Sequence, residues 1–77
     1  MIVPIAVKAL DNYKLQITFS TGEIRIYDAG GDIKHGVFQS LKDKKFFAGA
    51  RIARGTVIWS DDLDIAPETL YEESKPA

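Results

Sequence analysis

Tyr13, Leu15, Ile17 and Phe19 alternate with Lys14, Gln16, Thr18 and Ser20, the period-two pattern of a strand with one apolar and one wet face. The preceding "IVPIAVKAL" (residues 2–10) places Val3, Ile5 and Val7 on one side and Pro4 on the other. Proline has no N–H to give to a ladder, so this segment belongs at a sheet edge or a strand start. Asp11-Asn12 turns the chain into the second strand. "STGE" (residues 20–23) then makes a hairpin turn in which Gly22 can take positive φ. Ile24 and Ile26 are expected to point inward on the third strand, with Arg25 and Tyr27 outward. The first third of the chain thus predicts a β-meander.

Beyond it the period changes. "AGGDIKHG" (residues 29–36) carries three glycines and a helix-start residue in Asp32, which allows one short helical turn at most. Val37, Phe38 and Leu41 follow as anchors to the sheet. "DKKFFAGA" (residues 43–50) predicts a short helix capped by Asp43 and stopped by Gly49 in the left-handed conformation. Phe46 and Phe47 lie ~100° apart around it, so Phe47 is assigned to the core and Phe46 to its boundary. "ARIARGTVIWS" (residues 50–60) gives two strands around Arg54-Gly55, with Val57 and Trp59 on one face and Ile58 on the other. Pro67 suits the first position of a last helix, Glu68 its positive end, and Leu70 and Tyr71 its packed side. Residues 74–77 are expected to fray. Together these elements predict an α+β class: one small antiparallel sheet, a β-meander plus a second hairpin, packed with two or three short helices in a single domain over residues 1–77.

At 77 residues the chain buries only roughly 60–65% of its unfolded surface, so each large apolar residue counts. It has no cysteine, which removes disulfides and thiolate metal sites from consideration. No basic leader opens the chain, and no run approaches the ~20 apolar residues of a membrane span, so a soluble, cytoplasmic protein is expected. The formal net charge of −1 argues against a dedicated nucleic-acid binder. The distribution of charge is less even. Lys42, Lys44, Lys45, Arg51 and Arg54 face one acid, Asp43, within residues 42–54, whereas Asp61, Asp62, Asp64, Glu68, Glu72 and Glu73 form a wholly acidic block.

The acidic block fails as a calcium loop: counted from Asp62, ligand position 5 is Ala66 and the required glycine is Pro67. A magnesium site on Asp62 and Asp64, or a small metal-dependent enzyme using Asp61, Asp62 and Asp64, remains an alternative to a polar turn before the last helix. His35, the one histidine, has no motif that ties an acid or nucleophile to it. No metalloprotease, nucleophile-elbow or phosphate-loop motif occurs, and no catalytic residue or cofactor is assigned. The basic segment offers Lys44, Lys45, Arg51 and Arg54 as an interaction patch for an acidic protein or a phosphate, against the plainer reading of a solvated face with Asp43 as the cap.

"LQITFSTGEIRIYD" (residues 15–28), Phe38, Leu41, Asp43 and Phe47, then Ile58, Trp59, Asp64 and Pro67 through Tyr71, resemble the domain of unknown function 2442 family, the NE0471 N-terminal-domain-like small bacterial proteins. The resemblance spans nearly the whole chain and rests mostly on core and turn positions. It implies a compact α+β domain whose relatives are functionally uncharacterised. Many relatives are encoded beside another small protein, which implies a two-component, toxin–antitoxin-like module. Some relatives carry an added helix-turn-helix region, for which residues 1–77 leave no room, so DNA binding by that route is not expected. Others bear names from molybdenum-cofactor biosynthesis, a role the missing glycine-rich phosphate loop makes implausible. The leading expectation is a protein-interaction module that binds a companion protein from an adjacent gene, with a homodimer through a sheet edge or helix face as a variant. Nucleic-acid binding through Lys42–Arg54 ranks below it.

Overall fold

The alternating segments pair as an antiparallel meander in the computed structural model, which describes residues 1–30, 41–60 and 63–77. Strands β1 (Pro4–Leu10), β2 (Lys14–Phe19) and β3 (Ile24–Asp28) lie side by side, β1 and β2 being joined by a tight turn at Asp11–Tyr13. A second sheet holds β4 (Arg51–Ala53), β5 (Thr56–Ser60) and β6 (Leu63–Ile65) in that order. Two α-helices occur among the described residues: the single turn α1 (Lys44–Phe47) and the seven-residue α2 (Pro67–Glu73). A two-residue strand, β7 (Lys75–Pro76), pairs with the free edge of β3.

This overturns the expected α+β class. The described chain is mostly strand, its strands form two sheets where one was expected, and one helix alone reaches seven residues. The physical reason lies partly in residues 63–65. Leu63 and Ile65 flank Asp64 with period two and are both buried, so the segment extends as β6 beside β5. The four-stranded sheet and the three-stranded sheet then share one core of Leu15, Ile17, Phe19, Tyr27, Val57, Trp59, Leu63 and Ile65, closed by Leu41, Phe47 and Leu70.

The faces of β3 are the reverse of the expectation. Tyr27 is buried opposite Leu15 and Arg25 sits opposite Ile17, whereas Ile24 and Ile26 lie opposite Thr18 and Gln16 on the outer face. The loop decides this. Phe19 and Glu23 close the hairpin through Phe19 N–H to Glu23 C=O (2.9 Å), which leaves a three-residue loop, Ser20 to Gly22, with Gly22 at φ 90°. An odd loop pairs odd positions with odd ones, so Arg25 and Tyr27 must share the face of Leu15 and Ile17.

β1 departs from expectation too. Pro4 is buried opposite Phe19, and the register slips between Pro4 and Ala6, making Ile5 an extra residue that is 58% exposed. Gly49 does not take the left-handed conformation; α1 ends with Gly49 N–H donating to Phe46 C=O at 3.0 Å. Residues 74–77, expected to fray, hold buried Ser74, strand β7 and an Ala77 N–H to Ile24 C=O bond of 3.1 Å. Asp32, Val37 and Phe38 lie outside the described residues.

Other expectations hold. Asp43 caps α1, its carboxylate accepting from Lys45 N–H at 2.9 Å, and Phe47 is buried while Phe46 sits at the core boundary. Arg54 (φ 53°) and Gly55 (φ 76°) make the two-residue turn between β4 and β5. Pro67 opens α2, which buries Leu70. The Phe47 ring meets Tyr13 edge-on at 5.5 Å and Trp59 at 5.9 Å, so one side chain joins the first sheet's turn, α1 and the second sheet. Trp59 Nε1–H also donates to Phe47 C=O at 2.9 Å. Trp59→Phe removes that bond and leaves Phe47 C=O with the Ala50 N–H alone (3.2 Å), at a cost of about 0.5–1.5 kcal/mol. A urea titration should show a lower midpoint with an unchanged slope.

Candidate functional site

The four cations singled out by sequence lie on α1, on β4 and at the β4–β5 hairpin tip. Lys44 lines a concavity of about 150 Å³ between α1 and the β1–β2 turn, with Leu10, Asp11, Asn12, Tyr13 and Phe47 around it. Asn12 and Tyr13 take positive φ there (64° and 60°), a conformation costly for non-glycine residues, and the Tyr13 hydroxyl donates to Lys42 C=O at 2.6 Å. Lys45 is exposed on α1. Arg51 Nη1 donates to Trp59 C=O at 3.1 Å, and Arg54 occupies the hairpin tip three residues on. Asp43 already occupies the start of α1.

Asp61, Asp62 and His35 lie outside the described residues. Asp64 is exposed on β6 opposite Ile58, on the face away from Leu63 and Ile65. Among the described residues no group of three His, Cys, Asp or Glu side chains is placed to hold a metal ion.

The outer face of the four-stranded sheet is the surface that sequence reasoning missed. Cross-strand registers set Ala6, Thr18 and Ile24 in one row, with bulged Ile5 beside them. Lys8, Gln16, Ile26 and Lys75 make the next row. Lys14 and Asp28 follow, and Lys14, Ile26, Asp28, Glu73 and Lys75 border a shallow concavity of about 350 Å³. Ile24 is 47% exposed, in a position where a solvated sheet face ordinarily carries a polar residue.

On the inner face, Arg25 fastens the C-terminal segment. Its Nε donates to Ser74 Oγ (2.8 Å), its Nη2 to Ser74 C=O (2.6 Å) and its Nη1 to Glu23 Oε2 (3.3 Å). The guanidinium also lies 4.6 Å from the centre of the Tyr71 ring. Glu23 Oε1 accepts from the Tyr71 hydroxyl at 2.7 Å and from Thr21 Oγ1 at 2.9 Å. The hydrogen bond from Tyr71, then that from Thr21, and finally the Arg25 guanidinium hold the Glu23 carboxyl below the usual carboxylate range. The same bond raises the Tyr71 phenol, since ionising it would oppose two negative charges. This network is a clasp between β3, α2 and the residue that leads into β7.

Fold and surface together define a small two-sheet domain with an open face. The chain belongs to the family described as "Protein of unknown function (DUF2442)", whose model matches residues 4–76. Among solved structures it is similar to NE0471 from Nitrosomonas europaea ATCC 19718, described as a putative DNA binding protein, with 31% identity and a TM-score of 0.86. The likeness covers 96% of this chain and 49% of that one, so this chain spans about half the length of that relative. No curated protein matches. No described helix is long and apolar enough to cross a membrane.

The clasp makes stability depend on pH at both ends. The lowered Glu23 pKa contributes stability above the ordinary carboxylate range, lost as pH falls through the folded value. The raised Tyr71 pKa contributes below the ordinary tyrosine value of about 10, and its share is lost as pH rises through the folded value. In Tyr71→Phe the alkaline loss should shrink and the Glu23 carboxyl should titrate at higher pH, as followed by carboxyl NMR and melting curves across pH.

Proposed function

We propose that residues 1–77 form a single protein-interaction domain, one member of a two-component, toxin–antitoxin-like pair whose partner is the small companion protein encoded beside it. The observation that supports this reading is the outer face of β1–β3, where Ile24 and bulged Ile5 stand exposed although no core requirement places them there. Large apolar side chains grouped on one open face mark binding surfaces more often than single scattered ones do. Co-expressed with the adjacent gene product, the chain should co-purify with it and melt at higher temperature than alone. Ile24→Asp should weaken that complex at least about tenfold while the free domain keeps its melting temperature, because the position is exposed. Co-purification no better than that of unrelated small proteins removes the reading. Sedimentation of the free chain separates a companion-binding monomer from a homodimer.

A second reading is nucleic-acid contact through Lys44, Lys45, Arg51 and Arg54, and its support is the description of NE0471 as a putative DNA binding protein. The net charge of −1 and the engagement of Arg51 with Trp59 C=O weigh against it. Four phosphate contacts would make log affinity for a DNA duplex fall with log salt at a slope of about −3 to −4. Fluorescence anisotropy showing that slope, and its loss in Lys44→Glu with Lys45→Glu, carries this reading; binding that ignores salt ends it.

A further inference from the structure

We propose that the outer face of the four-stranded sheet is a seat for one amphipathic α-helix of a partner protein, with an apolar stripe bordered on both sides by carboxylates. This rests on the interaction reading above and specifies the chemistry of the partner. The geometry follows from the register. Lys8 on β1 and Lys75 on β7 belong to one row, with Gln16 and Ile26 between them. Three inter-strand spacings set the two lysines about 14 Å apart. A helix with its side chains is about 10–12 Å across, so one laid along β2 and β3 fits between them.

Its apolar stripe would cover Thr18, Ile24 and Ile26, and its flanking carboxylates would reach Lys8 on one side and Lys75 on the other. Ile5 and Ala6 widen the apolar end by one residue because the bulge sets two residues of β1 against Thr18. Lys8, Lys14 and Lys75 enter no ion pair among the described residues, so their charges are available to a partner. The acids of this face, Asp28 and Glu73, sit at the far end beside Lys14. The row of Ile26 carries only the charges of Lys8 and Lys75, whereas Asp28 and Glu73 share the concavity beyond it with Lys14, so it is along that row that an acidic border is favoured over a basic one. Among the described residues the face carries no aromatic ring on which a nucleic-acid base could stack, and its exposed isoleucines favour a protein over a phosphate backbone.

The test uses two short helical peptides with the same leucine stripe, one bordered by glutamates and the other by lysines, titrated into the isotopically labelled chain. The glutamate peptide should move the amide signals of Lys8, Gln16, Thr18, Ile24 and Ile26 and bind about tenfold more tightly than the lysine peptide. Lys8→Glu, alone and with Lys75→Glu, should reverse that preference while the melting temperature stays put. Equal binding of both peptides, movement confined to another surface, or no binding at all would overturn the proposal, as would a DNA duplex moving the same signals more tightly than either peptide. If the peptides fail while the companion protein co-purifies, this seat is wrong and the interaction reading stands. If the glutamate peptide binds here but no companion does, the pairing is wrong and the seat stands.

Discussion

Three residues in one turn set the character of both faces of the larger sheet. Ser20, Thr21 and Gly22 make the loop between β2 and β3 odd, and an odd loop keeps Arg25 and Tyr27 on the side of Leu15, Ile17 and Phe19. A two-residue loop would shift every β3 side chain to the other face. Ile24 and Ile26 would then enter the core, and Arg25 would lose Ser74 and the Tyr71 ring. The open apolar face and the inner clasp are therefore two consequences of one backbone constraint.

The inward position of Arg25 is tolerable because its donors are matched. Its side chain is 16% exposed, and Ser74 Oγ, Ser74 C=O and Glu23 take its hydrogen bonds while Tyr71 covers its plane. The clasp also gives the C-terminal segment its place. Ser74 is buried beneath Arg25, and β7 then covers the edge of β3 with a proline, which cannot recruit a further strand through an N–H. On the opposite side of the core Phe47 plays the corresponding part, holding Tyr13 and Trp59 through its ring and Trp59 again through its carbonyl.

Features governed by neighbouring residues were legible in the sequence. The β1–β2–β3 meander, the Arg54-Gly55 hairpin, the Asp43 cap, Pro67 at the start of α2 and the burial of Phe47, Trp59 and Leu70 each follow from local period, turn chemistry or capping. What was not legible depended on register or on distant partners. Pro4 and Ile5 exchange roles because of a bulge, and β6 forms because β5 offers it an edge. The candidate site shows the same division. Proximity in sequence suggested that Lys44, Lys45, Arg51 and Arg54 act together, and they stand on a helix turn, a strand and a hairpin tip. Lys8, Lys14 and Lys75, far apart in sequence, share one face through cross-strand pairing.

The sequence by itself determined the family, the order of the first strands and turns, and the main aromatic anchors, because side-chain alternation, glycine and proline conformation and helix capping act within a few residues. Only the tertiary structure decided that there are two sheets, that Arg25 turns inward, and that an apolar face flanked by lysines stays open. Those outcomes rest on which strand edge meets which, and on whether a loop holds an odd or even number of residues. A change of one residue in register leaves the alternation intact and reverses what it faces.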